Sequence, residues 1–441
     1  MIYVLPTELS KAGLKKIRRK LEKQNSIFSQ KKYLDGLYLP SHIIGRKKQA
    51  EELLLHIESL RQGFVVPVIS VYGRSGSGKS TLVKFVCNNI DDLACFAFAN
   101  LRKAKTVFGC ANIILSEFGM PSLKSADGIN KTVDVLAKCI SERLESHGKK
   151  FMILVLDEYD AIFSDKRNNP SDFMYKLLTL EEELRQKDLW LCIITISNNA
   201  LSEYTLDDRI KSRMGNSEVF FPPYTKDDIS QILKDRAEKA FTKKIEDKIV
   251  QYCAEIGSAE HGDARRALDL LRVAGELCDG TKITIHDIDS ANQKLQKDRL
   301  ELVVTNASYH QKHLIGAICR NLLNDDSGWT ATSAIYDKYK SIIQDDVNPL
   351  SYRRISDLLV ELKNTGLVHS RTISRGRAGY GTEYRLLFSP HMVGPYVGKE
   401  WWDRVVSKKL RKDTANALLD RLKPRSRRQS SYNSIFKKYG I

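Results

Sequence analysis

GRSGSGKST, residues 73–81, follows the apolar run FVVPVISVY (64–72) and precedes the helix-like stretch LVKFVCNNI (82–90). Gly73, Gly78, Lys79 and Ser80 match G-x-x-x-x-G-K-[ST] in the strand, turn and helix setting that the motif requires. In such a loop the glycines let backbone N–H groups converge on phosphates at a helix N-terminus, the lysine neutralises the β and γ oxygens, and the hydroxyl meets Mg²⁺. Gly73, Ser75, Gly76, Ser77, Gly78, Lys79, Ser80 and Thr81 are therefore expected to hold ATP or ADP, with Ser80 on Mg²⁺.

Outward from that loop, residues 64–222 alternate short apolar strands (VVPVISVY, CFAFAN, FMILVLD, LWLCIITIS) with helical stretches, which predicts a parallel sheet covered by helices. FMILVLDEYD (151–160) is a buried strand emerging into acids: Asp157 is placed to hold Mg²⁺ and Glu158 to orient or deprotonate the attacking water, which makes the expected chemistry hydrolysis. The next strand ends in Asn198, whose amide can hold that water, and TLDDRIKSRMG carries Arg209 and Arg213, either of which can complete a neighbouring subunit's site. From Tyr224 to about Asp298 the strands stop; Ile229, Ile232, Leu233, Ala237 and Phe241 fall on one helical face. There GDARRALDLL sets Arg265 at the start of an amphipathic helix, able to reach the γ-phosphate from a separate helical body, so that domain angle reports ATP against ADP.

Residues 300–390 show three helical stretches and a hairpin around SRGRAGYG. Ser351 is a helix N-cap, and Ile355, Leu358, Leu359 and Leu362 form a buried stripe. Tyr352, Arg353 and Arg354 then occupy the first turn, the part of a recognition helix that meets base edges, while Arg375 and Arg377 sit at the hairpin tip.

The net charge of +17 is placed at the ends: residues 1–34 carry +7 and 391–441 carry +9, which leaves the 356 residues between nearly neutral. Two basic arms on a balanced body suggest a polyanion partner. WWDRVVSKKLRKDTANALLDRLKPRSRR (401–428) reads as a helix docked through Trp401 and Trp402, with Lys408, Lys409, Arg411 and Lys412 facing outward, followed by a disordered basic end. The eight scattered cysteines contain no C-x-x-C pair and read as reduced core thiols. His310 and His313 have no third ligand nearby and read as structural. No stretch approaches the ~20 apolar residues of a membrane helix, and MIYVLPTELSK is too short and polar for a secretory signal, so an intracellular protein is expected.

The order P-loop, DE strand, Asn-tipped strand, S-R box and G-D-x-R helix resembles the AAA+ ATPases. FPPYT (221–225) before a helical lid, and a winged helix with a glycine- and arginine-rich wing, narrow the resemblance to archaeal origin-recognition initiators, relatives of the eukaryotic origin recognition complex subunits and the cell-division-control loader. The similarity covers about residues 35–390.

It implies an α/β fold in three parts: an AAA+ P-loop parallel-sheet domain (35–223), a helical lid (224–298) and a winged-helix domain (299–390), between a basic arm (1–34) and a basic tail (391–441). It further implies that Asn198 and Arg265 are the two sensors, that Tyr224, Arg236 and the IIGR segment (Ile44, Gly45, Arg46) lie at the nucleotide, and that a DNA-contacting helix falls around Leu101–Ala111 with Lys103 and Lys105. For the trans arginine, Arg213 fits the S-R box and Arg209 the archaeal position. The expected activity is ATP-switched binding of double-stranded origin DNA that helps load an MCM-type replicative helicase, with self-association or other initiator subunits, no membrane, and a nucleoid address, or a nuclear one in a eukaryote. A clamp-loader-like or transposition-helper ATPase is the rival reading, and a DNA-binding regulator with a vestigial ATPase the other.

Overall fold

The computed structural model describes residues 27–409 apart from 105, 166–168, 205, 209, 212–216, 260–261, 279–281, 324–326, 344–347 and 375–379, together with 11, 13–15 and 18; for 164 and 202 it describes the backbone alone. The chain divides into two compact units, Met1–Ala291 and Asn292–Ile441.

In the first unit, strands β1 (Val68–Gly73), β2 (Ala94–Asn100), β3 (Phe151–Asp157), β4 (Trp190–Ser197) and β5 (Glu218–Phe221) form one parallel sheet in the order β2-β3-β4-β1-β5. Helices α1 (Lys47–Glu58), α2 (Lys79–Asn88), α3 (Val107–Ser116), α4 (Gly128–Ser146) and α5 (Pro170–Arg185) are interspersed. Successive β3 residues divide between two cores: Met152, Leu154 and Leu156 face one, and Ile153 and Val155 the other. That explains why these strands read as continuous apolar runs, since a parallel sheet is covered on both faces. The chain leaves β1 for the far edge of the sheet and returns strand by strand. The carboxyl ends of β1, β3 and β4 thus open on one crevice, as expected where strand order reverses.

The helix expected around Leu101–Ala111 is not continuous over that stretch. A 3₁₀ turn (Leu101–Lys103) precedes α3, which starts at Val107 with the Thr106 hydroxyl accepting from Gly109 N–H. Val107, Cys110, Ala111, Ile114 and Leu115 are buried because their spacing makes one apolar stripe that needs the sheet. Lys103 is exposed on the turn instead.

The lid packs α6 (Lys226–Ala240), α7 (Asp247–Ala259) and α8 (Ala264–Leu277) around Ile229, Leu233, Ile249, Cys253, Ala267 and Leu271. A capping box between Thr225 and Asp228 starts α6. Residues 27–34, read from sequence as the end of the basic arm, lie on this lid. Phe28 stacks on Phe241 at 4.9 Å, Lys31 pairs with Glu276 at 2.5 Å, and Leu34 is fully buried.

Helix α9 (Ile285–Asn306) carries the division between the units and contains the expected 298/299 boundary. The second unit continues with α10 (Tyr309–Leu322), β6 (Thr330–Ala331), α11 (Thr332–Lys340), α12 (Tyr352–Asn364), β7 (Val368–Ser374), β8 (Tyr380–Leu386), α13 (Pro390–Val397) and α14 (399–409). The strands pair antiparallel in the order β6-β8-β7. Residues 391–409, read as the start of a basic tail, supply Val393 and Trp402 to the same core as Ile355, Leu358, Leu359 and Leu362. Lys408 is exposed, whereas the Lys409 ammonium donates to the Leu323 carbonyl; Arg411 and Lys412 lie outside the described residues. Among the described residues no helix is long and apolar enough to cross a membrane.

Candidate nucleotide cleft and nucleic-acid interface

Three P-loop glycines take backbone angles that L side chains rarely adopt: Gly73 at φ 147°, Gly76 at 77° and Gly78 at 84°. A Cβ on Gly73 would overlap the Phe221 carbonyl, and one on Gly78 the Tyr224 hydroxyl, so both positions are closed to larger residues. Gly78 caps the N-terminus of α2, whose unpaired N–H groups point into the crevice. Ser77 Oγ is buried without a hydrogen-bond partner. Lys79 Nζ donates to the carbonyls of Gly73 (2.6 Å) and Arg74 (2.9 Å). Burial pushes its ammonium down to about 8; Asp157 opposes that shift and Arg265 adds to it.

Across the loop, Asp157 Oδ1 accepts from Ser80 Oγ at 3.0 Å and from its neighbour's N–H at 3.0 Å, while Oδ2 accepts from Asn100 Nδ2 at 3.1 Å. Glu158 sits in the left-handed region at φ 55°, which costs a non-glycine residue ~1–3 kcal/mol and persists only where surroundings enforce it. That turn sets its carboxyl in the crevice, where burial, Asp160 and Asp157 raise its pKa. Asn198 Nδ2 donates to Asp160 Oδ2 at 3.0 Å. Ser75, Gly76, Gly78, Lys79, Ser80, Asp157, Glu158, Asp160, Asn198 and Arg265 line a cleft of about 330 Å³. Asp160 and Asn100 were not singled out from sequence. The third acid of DEYD was the available signal for the first; nothing local signalled the second.

A contiguous cleft of about 590 Å³ is lined by Tyr38, Pro40, His42, Ile43 and Ile44 from the segment before α1, Thr81 from α2, and Tyr224, Ile232, Asp235, Arg236, Arg265 and Leu268 from the lid side. Arg265 therefore lines both clefts, and a Cβ on Gly36 would sit 3.4 Å from its Cγ. Arg236 donates to the carbonyls of Tyr33 (3.5 Å) and Tyr38 (3.4 Å). Two residues expected at the nucleotide make contacts within the protein. Arg46 is buried 3.7 Å over the Tyr224 ring, with Nε donating to the Ser77 carbonyl (3.0 Å) and Nη2 to that of Pro222 (2.7 Å). It braces the P-loop from behind, because a buried guanidinium must satisfy its donors on nearby carbonyls. Gly45, at φ 70°, lies against the Asp228 carboxylate, where a Cβ would sit 2.5 Å from Oδ1.

In the second unit the Ser351 hydroxyl accepts from Arg354 N–H at 3.4 Å to start α12, and Tyr352, Arg353 and Arg354 are exposed on its first turn. Tyr352 stacks edge-on against Tyr336, and Arg354 lies 3.6 Å from Glu361 and 3.9 Å from Asp357. The Arg353 side chain makes no hydrogen bond or ion pair among the described residues. Leu350, just ahead of this helix, donates its N–H to the Tyr339 hydroxyl at 3.1 Å, which also bonds His310 Nδ1 at 2.8 Å, so His310 has a structural part. The guanidinium groups of Arg371 and Arg385 lie 4.3 Å and 5.0 Å from the centre of the Trp329 ring, a cluster not foreseen from sequence. Arg209, Arg213, Lys105, Arg375 and Arg377 lie outside the described residues.

Three segments match known families: residues 69–222 the ATPase family associated with various cellular activities (AAA), residues 230–293 the Cdc6 AAA+ ATPase-type lid domain, and residues 303–394 the CDC6 C-terminal winged helix domain. An ORC1-type DNA replication protein of Thermococcus kodakarensis is 32% identical over 380 residues, 83% of this chain and 90% of the relative. An ORC1-type DNA replication protein 1 of Sulfurisphaera tokodaii is 31% identical over 396 residues, 86% of this chain and 97% of the relative. The Aeropyrum pernix ORC1 protein solved in complex with DNA superposes with a TM-score of 0.69 at 28% identity, covering 87% of this chain and 99% of that one.

Proposed function

The chain belongs to the family of ORC1-type DNA replication proteins, AAA+ ATPases with a winged helix, and from that premise we propose that it is a replication initiator that binds double-stranded origin DNA under the control of ATP and helps recruit or load an MCM-type helicase. The observation that carries this reading is Arg265, which reaches from the lid into both clefts while Lys79, Asp157, Glu158 and Asn198 converge from the sheet.

ATP binds with its phosphates in the P-loop and its base against Ile43, Ile44, Tyr224 and Arg236. Ser80 and Asp157 offer a hydroxyl and one carboxylate, 3.0 Å apart. That oxygen set fits Mg²⁺, which keeps most of its shell for water and phosphate oxygens; bound there, the ion neutralises charge developing on the phosphates. Asn198 orients the water that attacks the γ-phosphorus, and Glu158 takes its proton as the bond to ADP breaks. Arg265 loses its phosphate contact when the γ-phosphate leaves, so the lid angle changes and ATP acts as a switch that is reset once. Arg209 or Arg213 completes the site of an adjoining subunit on DNA, which makes turnover depend on assembly.

On the DNA side, Tyr352, Arg353 and Arg354 enter a major groove, Arg375 and Arg377 follow the wing to a minor groove, and Lys103 with Lys105 adds phosphate contacts from the ATPase domain. Hydrolysis and binding measured on Lys79→Ala and Glu158→Gln test the core of this account. The first should lose ATP binding, and the second should bind ATP without hydrolysing it and remain on DNA. If Glu158→Gln turns over ATP like wild type, Glu158 does not activate the water.

A further inference from the structure

The loop that joins α6 to α7 is pinned by the chain segment that follows the basic N-terminal residues. Phe28 faces Phe241 in an antiparallel bridge, and the Ile27 carbonyl accepts from the Thr242 N–H at 3.0 Å and from its hydroxyl at 3.1 Å. The Ala240 carbonyl in turn accepts from the N–H groups of Ser29 (2.7 Å) and Gln30 (3.1 Å). The loop so fixed runs directly into Lys243 and Lys244, both exposed. With Lys282 and Glu246 they rim a cavity of about 580 Å³ whose walls are Ile27, Ile245 and Ile283. The nearby carboxylates are engaged elsewhere: Glu246 pairs with Lys248 at 2.9 Å and with Lys282, and Asp247 pairs with Lys234 at 3.0 Å. Lys243 and Lys244 make no ion pair among the described residues. Residues 1–26, which lead into Ile27, add seven Lys or Arg against two Glu.

We propose that Lys243 and Lys244 form a contact on the lid for the sugar–phosphate backbone of duplex DNA, separate from the recognition helix of the second unit. The inference deepens the initiator reading and rests on it, since that reading supplies the duplex. The chemistry of the rim favours an extended polyanion over a single phosphate group. Its side-chain donors are exposed ammonium groups over apolar walls, whereas a pocket for one small anion needs buried donors that converge. The charge of the preceding residues is added at the same edge, so the attraction extends beyond the two lysines. Such a contact carries no sequence information, because it meets phosphates and not base edges. Its signature is the release of counterions, about 0.9 in the slope of log affinity against log salt for each phosphate met.

The test is anisotropy titration of the full chain across a salt series, on a duplex that the protein selects from a random pool and on its scrambled counterpart. Three forms are compared: wild type, the double variant Lys243→Ala with Lys244→Ala, and the double variant Lys243→Arg with Lys244→Arg. The alanine pair should make the slope shallower by about 0.9 to 1.8, one or two phosphates' worth, and should weaken both duplexes by the same factor. The arginine pair should keep the wild-type slope, because it keeps both charges on the pinned loop. An alanine pair with the wild-type slope, an arginine pair that behaves like alanine, or a loss confined to the selected duplex would each overturn the proposal. Arg353→Ala, run in parallel, separates the two levels. If it narrows the preference for the selected duplex while the alanine pair matches wild type, only this inference fails. If wild type binds no duplex, the initiator reading fails with it.

Discussion

Arg353→Ala should cost the protein its sequence preference and little else. The first turn of α12 presents two arginines of different availability. Arg354 already lies between Glu361 at 3.6 Å and Asp357 at 3.9 Å, so a base must compete with two carboxylates for it. Arg353 has no such partner among the described residues, and its exposed fork is free to take the edge of a guanine. A lost bidentate base contact removes about 1–3 kcal/mol of discrimination, a ~5- to 150-fold narrowing of the affinity ratio between preferred and scrambled duplex. Arg354→Ala, which gives up an arginine already shared, should narrow that ratio by no more than about fivefold. Anisotropy titrations of both variants, on a duplex selected by the protein from a random pool and on its scrambled counterpart, across a salt series, measure both effects. The slope of log affinity against log salt should be the same for Arg353→Ala as for wild type. If the variant instead binds both duplexes more weakly by one common factor, with a slope shallower by about 0.9, Arg353 touches a phosphate and the recognition argument is refuted.

Deleting residues 410–441 should flatten the salt dependence and weaken all duplexes alike; a loss of sequence preference from that deletion would reverse the parts given to tail and recognition helix. The deletion has to begin at 410 because Trp402 is core: Trp402→Ala should cost about 3–5 kcal/mol of stability in the second unit, read by denaturant unfolding of the full chain, and a change under about 1 kcal/mol would show that α14 is not part of that fold. With EDTA present to exclude metal, ATP binding should weaken roughly eightfold between about pH 7.5 and 9, because free Lys79 loses its proton near 8 whereas phosphate contact returns it toward its ordinary 10.5. Binding should take up a proton above that point and none well below it. Calorimetry in two buffers of different ionisation enthalpy counts that proton, and no uptake at pH 9 would refute the assignment.

How much of this was legible in the sequence follows the physics of each part. The P-loop could be read because close backbone approach to phosphate admits few residues besides glycine, and the fold shows which atoms enforce that at Gly73 and Gly78. Asp157 and Glu158 could be read because a strand buried on both faces has no use for carboxylates except at its end. The base-side cleft was indicated only through the family resemblance, which gave Ile44, Tyr224 and Arg236 of its lining. It joins Tyr38 and His42 to Asp235 and Arg236, nearly two hundred residues away, through packing that leaves no local period. Arg46 was expected near the nucleotide, and nothing marked it as a brace, since its partners are carbonyls, which sequence does not distinguish. The late start of α3 at Val107 was hidden for a related reason: its stripe is buried by a sheet assembled from strands far along the chain. Trp402 was recognised as a docking residue, but the density of lysine and arginine around it hid that it completes a core.

The eight cysteines are all reduced and buried, and they are distributed over the molecule: Cys87, Cys95, Cys110, Cys139 and Cys192 in the sheet domain, Cys253 and Cys278 in the lid, and Cys319 in the winged helix. Burial pushes the thiols of Cys87, Cys110 and Cys253 up to about 12. Only the thiolate reacts, so alkylating reagents meet these side chains when the surrounding structure opens and hardly otherwise. The chain therefore carries its own set of internal clocks. Pulsed alkylation followed by mass spectrometry would time the opening of sheet, lid and winged helix separately, without an introduced label, and would show which of the three ATP holds shut.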